Sequence, residues 1–112
     1  MPTGAKWYPL YESDEDFKLW FDNNAVSSPA TAIERARVLY RFSRLMGWSL
    51  DELTEQVTTN RRKFEKRLMA FINKLRDEGY SPGYIENYLK AVRSWAEYHE
   101  VILLKKKSGT GT

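Results

Sequence analysis

Residues 79–99 read Gly79-Tyr-Ser-Pro-Gly-Tyr-Ile-Glu-Asn-Tyr-Leu-Lys-Ala-Val-Arg-Ser-Trp-Ala-Glu-Tyr-His99. Gly79 suits the left-handed residue that closes a preceding helix. Ser81 can cap a new helix through its hydroxyl, and Pro82 fits the first helical position, where its missing N–H has no partner to lose. Ile85, Leu89, Val92 and Ala96 then recur at spacings of four, three and four, and Tyr88 and Trp95 widen the stripe. Asn87, Lys90, Arg93 and Ser94 fall on or near the other side. Such a helix, apolar on one face and carrying Asn, Lys and Arg on the other, is suited to meeting DNA phosphates and base edges. An ordinary amphipathic helix with a solvated face has the same pattern and needs no partner.

The 112 residues around this helix are enough for one domain. Sixteen aromatic residues and a hydrophobic content of 42% supply a core and argue against disorder. The absence of cysteine excludes disulfides, thiolate metal sites and cysteine nucleophiles. No apolar run approaches the roughly 18 residues of a membrane span, and residues 1–7 lack the apolar stretch of a signal peptide. A cytoplasmic protein without membrane partners is expected. The net charge of +3 is uneven: residues 1–30 hold two lysines and five acids, whereas residues 31–112 hold sixteen Lys plus Arg and ten acids. A basic body favours a polyanionic partner.

Upstream, Ser28-Pro29 repeats the Ser81-Pro82 device and opens a helix over about 29–46, ended by Gly47. Val38, Leu39, Phe42, Leu45 and Met46 form its apolar stripe. Arg37, Arg41 and Arg44 line the opposite face, with Glu34 a turn earlier and Arg35 near the border. Three arginines with one acid among them repel each other, and a phosphate backbone relieves that repulsion. A solvated charged face accounts for the pattern equally well. Between the two Ser-Pro helices, Ser49-Leu-Asp-Glu52 is a capping box opening a short helix. Asn60 is placed to cap another over about 61–78, whose Phe64, Leu68, Phe71, Ile72 and Leu75 face inward and whose cations spread around the remainder. Near the start, Ser13 is placed to cap a helix of about 14–23 that Asn23 and Asn24 end. Phe17, Trp20 and Phe21 share its inner face. Residues 1–11, with Pro2, Gly4 and Pro9, read as an extended arm whose aromatic residues dock on the body or, alternatively, meet a partner. Val101-Ile-Leu-Leu104 reads as a helix extension or a short packed tail, and residues 105–112 as a flexible basic end. No strand pattern or hairpin turn competes. The expected fold is all-α, a single bundle of four to five helices over residues 12–104.

The chemistry required for an enzyme is sparse. His99 is the only histidine and falls a turn beyond Trp95, so a packed histidine is expected and a transition-metal site is not. Phosphate-loop and dinucleotide-binding glycine patterns are absent. No carboxylate pair sits in apolar sequence. Neither a stand-alone catalytic activity, nor a cofactor, nor a small-molecule substrate is expected.

The 79–98 stretch resembles the end of the core-binding domain of tyrosine recombinases, the phage-integrase family. Members commonly show Gly, x, Ser, x, x, Thr-Ile, then Tyr-Leu and an (Ile/Leu/Val)-Arg-x-Phe segment before a Tyr. Here Gly79, Ser81, Tyr84-Ile85, Tyr88-Leu89, Val92-Arg93, Trp95 and Tyr98 stand in those places, with Tyr84 where a Thr is usual. Ser28-Pro-Ala-Thr31, followed by Tyr40 and Phe42, is similar to that domain's earlier motif, and Leu50 to Leu53 resembles the segment introducing its third helix. The resemblance covers about residues 12–103. It implies a SAM-like orthogonal bundle forming half of a clamp around double-stranded DNA, with the second and last helices near the major groove and with self-association on DNA a further possibility. Carried over by position, Thr31, Arg35, Tyr84, Asn87, Lys90 and Arg93 become the DNA-binding candidates, and the charge pattern adds Arg37, Arg41 and Arg44. Arg and Lys would serve phosphates, and Asn87 a base edge. The family's catalytic Arg, Lys, His and nucleophilic Tyr belong to a separate domain, so the expectation for this chain is DNA binding within DNA recombination and integration, without strand cutting. A helical protein–protein interaction module is the alternative.

Overall fold

Four helices begin at a residue whose side chain caps the first turn. The computed structural model describes residues 3–104 and places six helices there: α1 Tyr8–Ser13, α2 Glu15–Ser27, α3 Pro29–Met46, α4 Leu50–Thr59, α5 Arg61–Asp77 and α6 Pro82–Tyr98. Among the described residues there is no strand, and the architecture is the all-α bundle that the periodicity predicts. The basic end expected at 105–112 lies outside the described residues.

The Ser28 and Ser81 hydroxyls accept from the backbone N–H of Thr31 and Tyr84, both at 3.3 Å. The capping box closes in both directions, Glu52 N–H to Ser49 Oγ at 3.1 Å and Ser49 N–H to Glu52 Oε1 at 2.9 Å. Gly47 and Gly79 take φ of 76° and 88°, the left-handed conformation in which glycine lacks the Cβ penalty. The next residues, Trp48 and Tyr80, donate back to the carbonyls of Ser43 and Leu75 at 2.9 and 3.1 Å, so α3 and α5 each end in a closed loop that fixes the following aromatic residue.

Four local expectations are corrected. The first concerns the N-terminal segment, which is not extended throughout: Pro9 sits in the first turn of α1, and Trp7 is buried against Phe21 and Phe17 at ring separations of 5.1 and 6.2 Å. Docking the ring ahead of Pro9 organises the turn. The second concerns α2, which is capped by Asp14, whose carboxylate accepts from Phe17 N–H at 2.9 Å, while Ser13 Oγ donates to the Pro9 carbonyl inside α1. This helix also runs past Asn23 and Asn24 to Ser27, because Asn24 bonds back to the Trp20 carbonyl at 2.8 Å. It stops at Ser28, whose φ of −166° is the extended form that a following proline favours. Thirdly, Asn60 makes no side-chain cap bond to α5. Fourthly, Leu45 is 60% exposed although the stripe includes it, because the end of α3 overhangs a cleft.

The core forms where α3 packs against α2 on one side and α6 on the other. Ala32 and Ala36 are fully enclosed and let these helices approach closely. Trp20 and Trp95 meet edge to face at 5.3 Å and 90°. Each indole N–H is satisfied across helices, Trp20 Nε1 to Ser94 Oγ at 3.0 Å and Trp95 Nε1 to Thr54 Oγ1 at 3.1 Å. His99 is half-buried with its ring edge-to-face on Trp95 at 4.8 Å. Residues 101–104 form a packed tail: Glu100 turns the chain at φ 62°, Leu103 is buried, and Leu104 N–H donates to Glu65 Oε2 at 2.7 Å.

α1 is pinned to α2 by Asp22, which accepts from Lys18 Nζ and from Tyr11 Oη, both at 2.9 Å. The Lys18 ammonium, with the Tyr11 hydroxyl adding to it against some desolvation, holds the Asp22 carboxyl below its ordinary value. A carboxylate depressed in the folded state contributes stability above the ordinary carboxylate range and loses it as pH falls through that range. Acidification from about pH 5 to about pH 2 is therefore expected to lower the protection of the α1 amides, each rate taken relative to its intrinsic exchange rate at the same pH, ahead of the rest of the chain. Asp22→Asn should remove that pH step, and α1 protection that does not change in acid would show that the pin is immaterial.

Candidate nucleic-acid interface

Two grooves flank the outer surface of α3, and most of the candidate residues lie along them. The first, of about 400 Å³, runs between α3 and α6 and is lined by Thr31, Arg35, Asn87 and Lys90 together with Ala30, Glu34 and Val38. More than fifty residues separate the two halves of this set in sequence, and the α3–α6 packing brings them together. Thr31, Asn87 and Lys90 are exposed, whereas Arg35 is half-buried and donates to Asn24 Oδ1 of α2. Asn24 therefore aims Arg35, a role that its place at an expected helix end concealed.

The second groove, of about 490 Å³, holds Arg37, Arg41 and Arg44 along one wall, with Ala5, Lys6, Trp7, Ile33 and Tyr40. Each arginine has its own support. Arg37 Nη2 pairs with Glu34 Oε2 at 2.7 Å. Arg41 Nη1 donates to Tyr84 Oη at 3.5 Å. The Arg44 guanidinium lies over the Tyr40 ring at 5.9 Å. Among the described residues Arg37 alone of the three is paired with a carboxylate, and this exposed ion pair is weak. The expected repulsion is thus relieved in part within the chain, while Arg41 and Arg44 keep their charge toward solvent. Lys6 adds a cation that the acidic N-terminal composition hides.

Tyr84 joins α6 to this wall. Its oxygen lies 3.2 Å from that of Tyr88 and also receives Arg41. Burial, with the Tyr84 hydrogen bond adding to it, pushes the Tyr88 phenol up to about 12. Tyr88 therefore keeps its proton, and the two hydroxyls share one hydrogen bond. The hydrogen bond with Tyr88, then the one from Arg41, lowers the Tyr84 phenol, while partial desolvation opposes them. The Tyr84 hydroxyl thus ties α6 to Arg41 of α3 while it shares a hydrogen bond with Tyr88. Arg93 lies a turn beyond Lys90 on α6, half-buried, with Nε enclosed and without a partner among the described residues. It lines neither groove.

The remaining cations divide. Arg61, Arg62 and Lys66 line a separate groove beside Leu104, and Arg67 and Lys74 line a cleft between α5 and α6. The α5 cations as a whole are spread around the helix. The seven-residue spacing of Arg67 and Lys74, two full turns, is the signal that puts those two on one stripe.

Among the described residues no group of three His, Asp or Glu side chains is arranged to hold a metal ion. No helix there is long and apolar enough to cross a membrane. No protein-family model, curated protein or solved structure matches the chain.

Proposed function

We propose that this domain binds double-stranded DNA along α3 and α6 as a non-catalytic, core-binding module of the tyrosine-recombinase type, acting in the cytoplasm. The observation that carries the reading is the shared groove of Thr31, Arg35, Asn87 and Lys90, flanked by the arginine ridge at 37, 41 and 44. Cations from two non-adjacent helices border surfaces that phosphates can follow, and an exposed asparagine lies between them. The motifs around Ser28 and Ser81 support the family reading, since both cap helices that meet along this groove.

A protein–protein interaction module is the second reading. Leu19 and Val26 favour it, being 51% and 85% exposed on α2 and lining neither groove. Salt separates the two. Phosphate contacts make log K fall with log salt at about −0.9 per contact, whereas apolar association is nearly flat. A steep loss of duplex affinity with salt is expected in an anisotropy titration, and duplex affinity that ignores salt would refute the DNA reading. In the same assay Asn87→Ala is expected to lower discrimination among duplex sequences more than total affinity, since a lost base contact costs about 1–3 kcal/mol of discrimination. Equal weakening on every sequence would make Asn87 a backbone contact.

A further inference from the structure

Beyond the duplex surface, a cleft of about 610 Å³ opens between the end of α3, the α5 wall and the start of α6. Its size falls in the roughly 300–1,000 Å³ range of small-ligand sites. Tyr80 lies parallel on Tyr84, with ring centroids 4.6 Å apart and planes 15° from parallel, and is 45% exposed. The backbone bond from Tyr80 N–H to the Leu75 carbonyl at 3.1 Å holds this residue in place. Arg67 and Lys74 stand on the α5 wall and Arg41 on the α3 side, against one carboxylate, Glu78. The Arg67 guanidinium is supported over the Trp48 ring at 5.8 Å. Exposed Leu45 also lines the cleft, which explains an apolar side chain left uncovered at the end of α3.

We propose that this cleft accepts one unpaired nucleotide of DNA, its base stacked on Tyr80 and its phosphate held between the cations of the α5 wall and Arg41. A two-ring stack with an exposed outer member is a platform that a planar base extends, and surrounding cations suit the strand's charge. An acidic peptide would use the cations but gain little from a parallel ring stack. Arg41 also lines the ridge groove, so a strand leaving the duplex there passes directly into the cleft. The inference rests on the duplex reading for what delivers the strand, but not for the stacking.

Fluorescence anisotropy at moderate salt tests it with three probes: an intact duplex, the same duplex carrying one extrahelical thymidine, and a single-stranded oligo-dT. The bulged duplex is expected to bind about tenfold tighter than the intact one, in line with the stacking of one base. Tyr80→Ala should abolish that preference and leave intact-duplex affinity unchanged, and Tyr80→Phe should retain it. Tyr80 is exposed and lies outside the helices, so the fold tolerates both changes. Equal binding of the two duplexes, or a preference that survives Tyr80→Ala, overturns the proposal. If neither duplex binds, the duplex reading fails, and oligo-dT then judges the cleft separately. Tyr80-dependent oligo-dT binding sustains it, and no binding overturns it. Displacement of oligo-dT by an excess of a poly-Glu,Tyr peptide that itself binds more tightly through Tyr80 would assign the cleft to a protein partner and also overturn it.

Discussion

Trp95→Ala is expected to destabilise the fold by about 3–5 kcal/mol, the usual cost of removing a buried large aromatic side chain. That is a large part of the roughly 5–15 kcal/mol that holds a small domain together. Trp95 is 1% exposed and lies where three helices meet. It touches Trp20 of α2 edge to face, stacks on Tyr98 at 5.8 Å within α6, and donates its indole N–H to Thr54 of α4. Truncation leaves a cavity that rigid helices on three sides close poorly. Thr54 itself stays satisfied, because its hydroxyl also donates to the Leu50 carbonyl at 2.9 Å, so the loss comes chiefly from packing. Leu19→Ala is the control: the side chain is 51% exposed, and a change within about 0.5 kcal/mol is expected. Urea unfolding followed by circular dichroism measures both. A Trp95→Ala cost under about 1 kcal/mol would remove Trp95 from the centre of the core.

Charge reversal at Arg37 and Arg41 together is expected to weaken duplex binding by more than about tenfold at moderate salt, a change of about 1.4 kcal/mol or more. It should also flatten the salt dependence by about two phosphate contacts. Both side chains are exposed, and neither fills the core. Arg37→Glu sets a carboxylate three residues from Glu34, which costs a few tenths of a kcal/mol in the helix. Arg41→Glu withdraws a donor from Tyr84, whose hydroxyl keeps its hydrogen bond with Tyr88. Helicity and the unfolding midpoint should therefore hold nearly constant while DNA affinity falls. Binding that is unchanged in a mobility-shift titration would take the ridge out of the interface and return it to the role of a solvated face.

The two measurements probe different layers of the same arrangement. Trp95 reports on how firmly α6 is seated against α2 and α4, and the ridge reports on what α3 presents outward once α6 is seated. Because Arg41 reaches Tyr84 across the α3–α6 junction, loosening of the core would also spread the candidate contacts apart. A partially destabilised Trp95 variant that still folds is thus expected to lose sequence discrimination before it loses bulk affinity, since phosphate contacts tolerate displacement better than a base-edge hydrogen bond.

Those helix starts and stops that depend on neighbours within about five residues were readable at the Ser28 and Ser81 hydroxyls, the Ser49–Glu52 box, and glycine at 47 and 79, but not at the two ends of α2 or at the Asn60 cap. So were the inward faces carrying Phe17, Trp20, Phe64, Leu68 and Val92, since a 3.6-residue period marks them wherever the helix lies. Other features needed the assembled bundle. Trp7 packs on Phe17 and Phe21 just ahead of α1, and Leu45 is left exposed where the end of α3 borders a cleft. Ala32 and Ala36 continue the Leu39 stripe at spacings of four and three, yet only the assembled bundle shows that they are fully enclosed between helices. Thr31 and Arg35 meet Asn87 and Lys90 in one groove through packing across more than fifty residues, and Tyr80 finds its cleft in the same way. Hydrogen bonding along a helix is short-ranged and written in adjacent residues, whereas the pairing of distant side chains follows from which apolar surfaces cover one another when the chain closes.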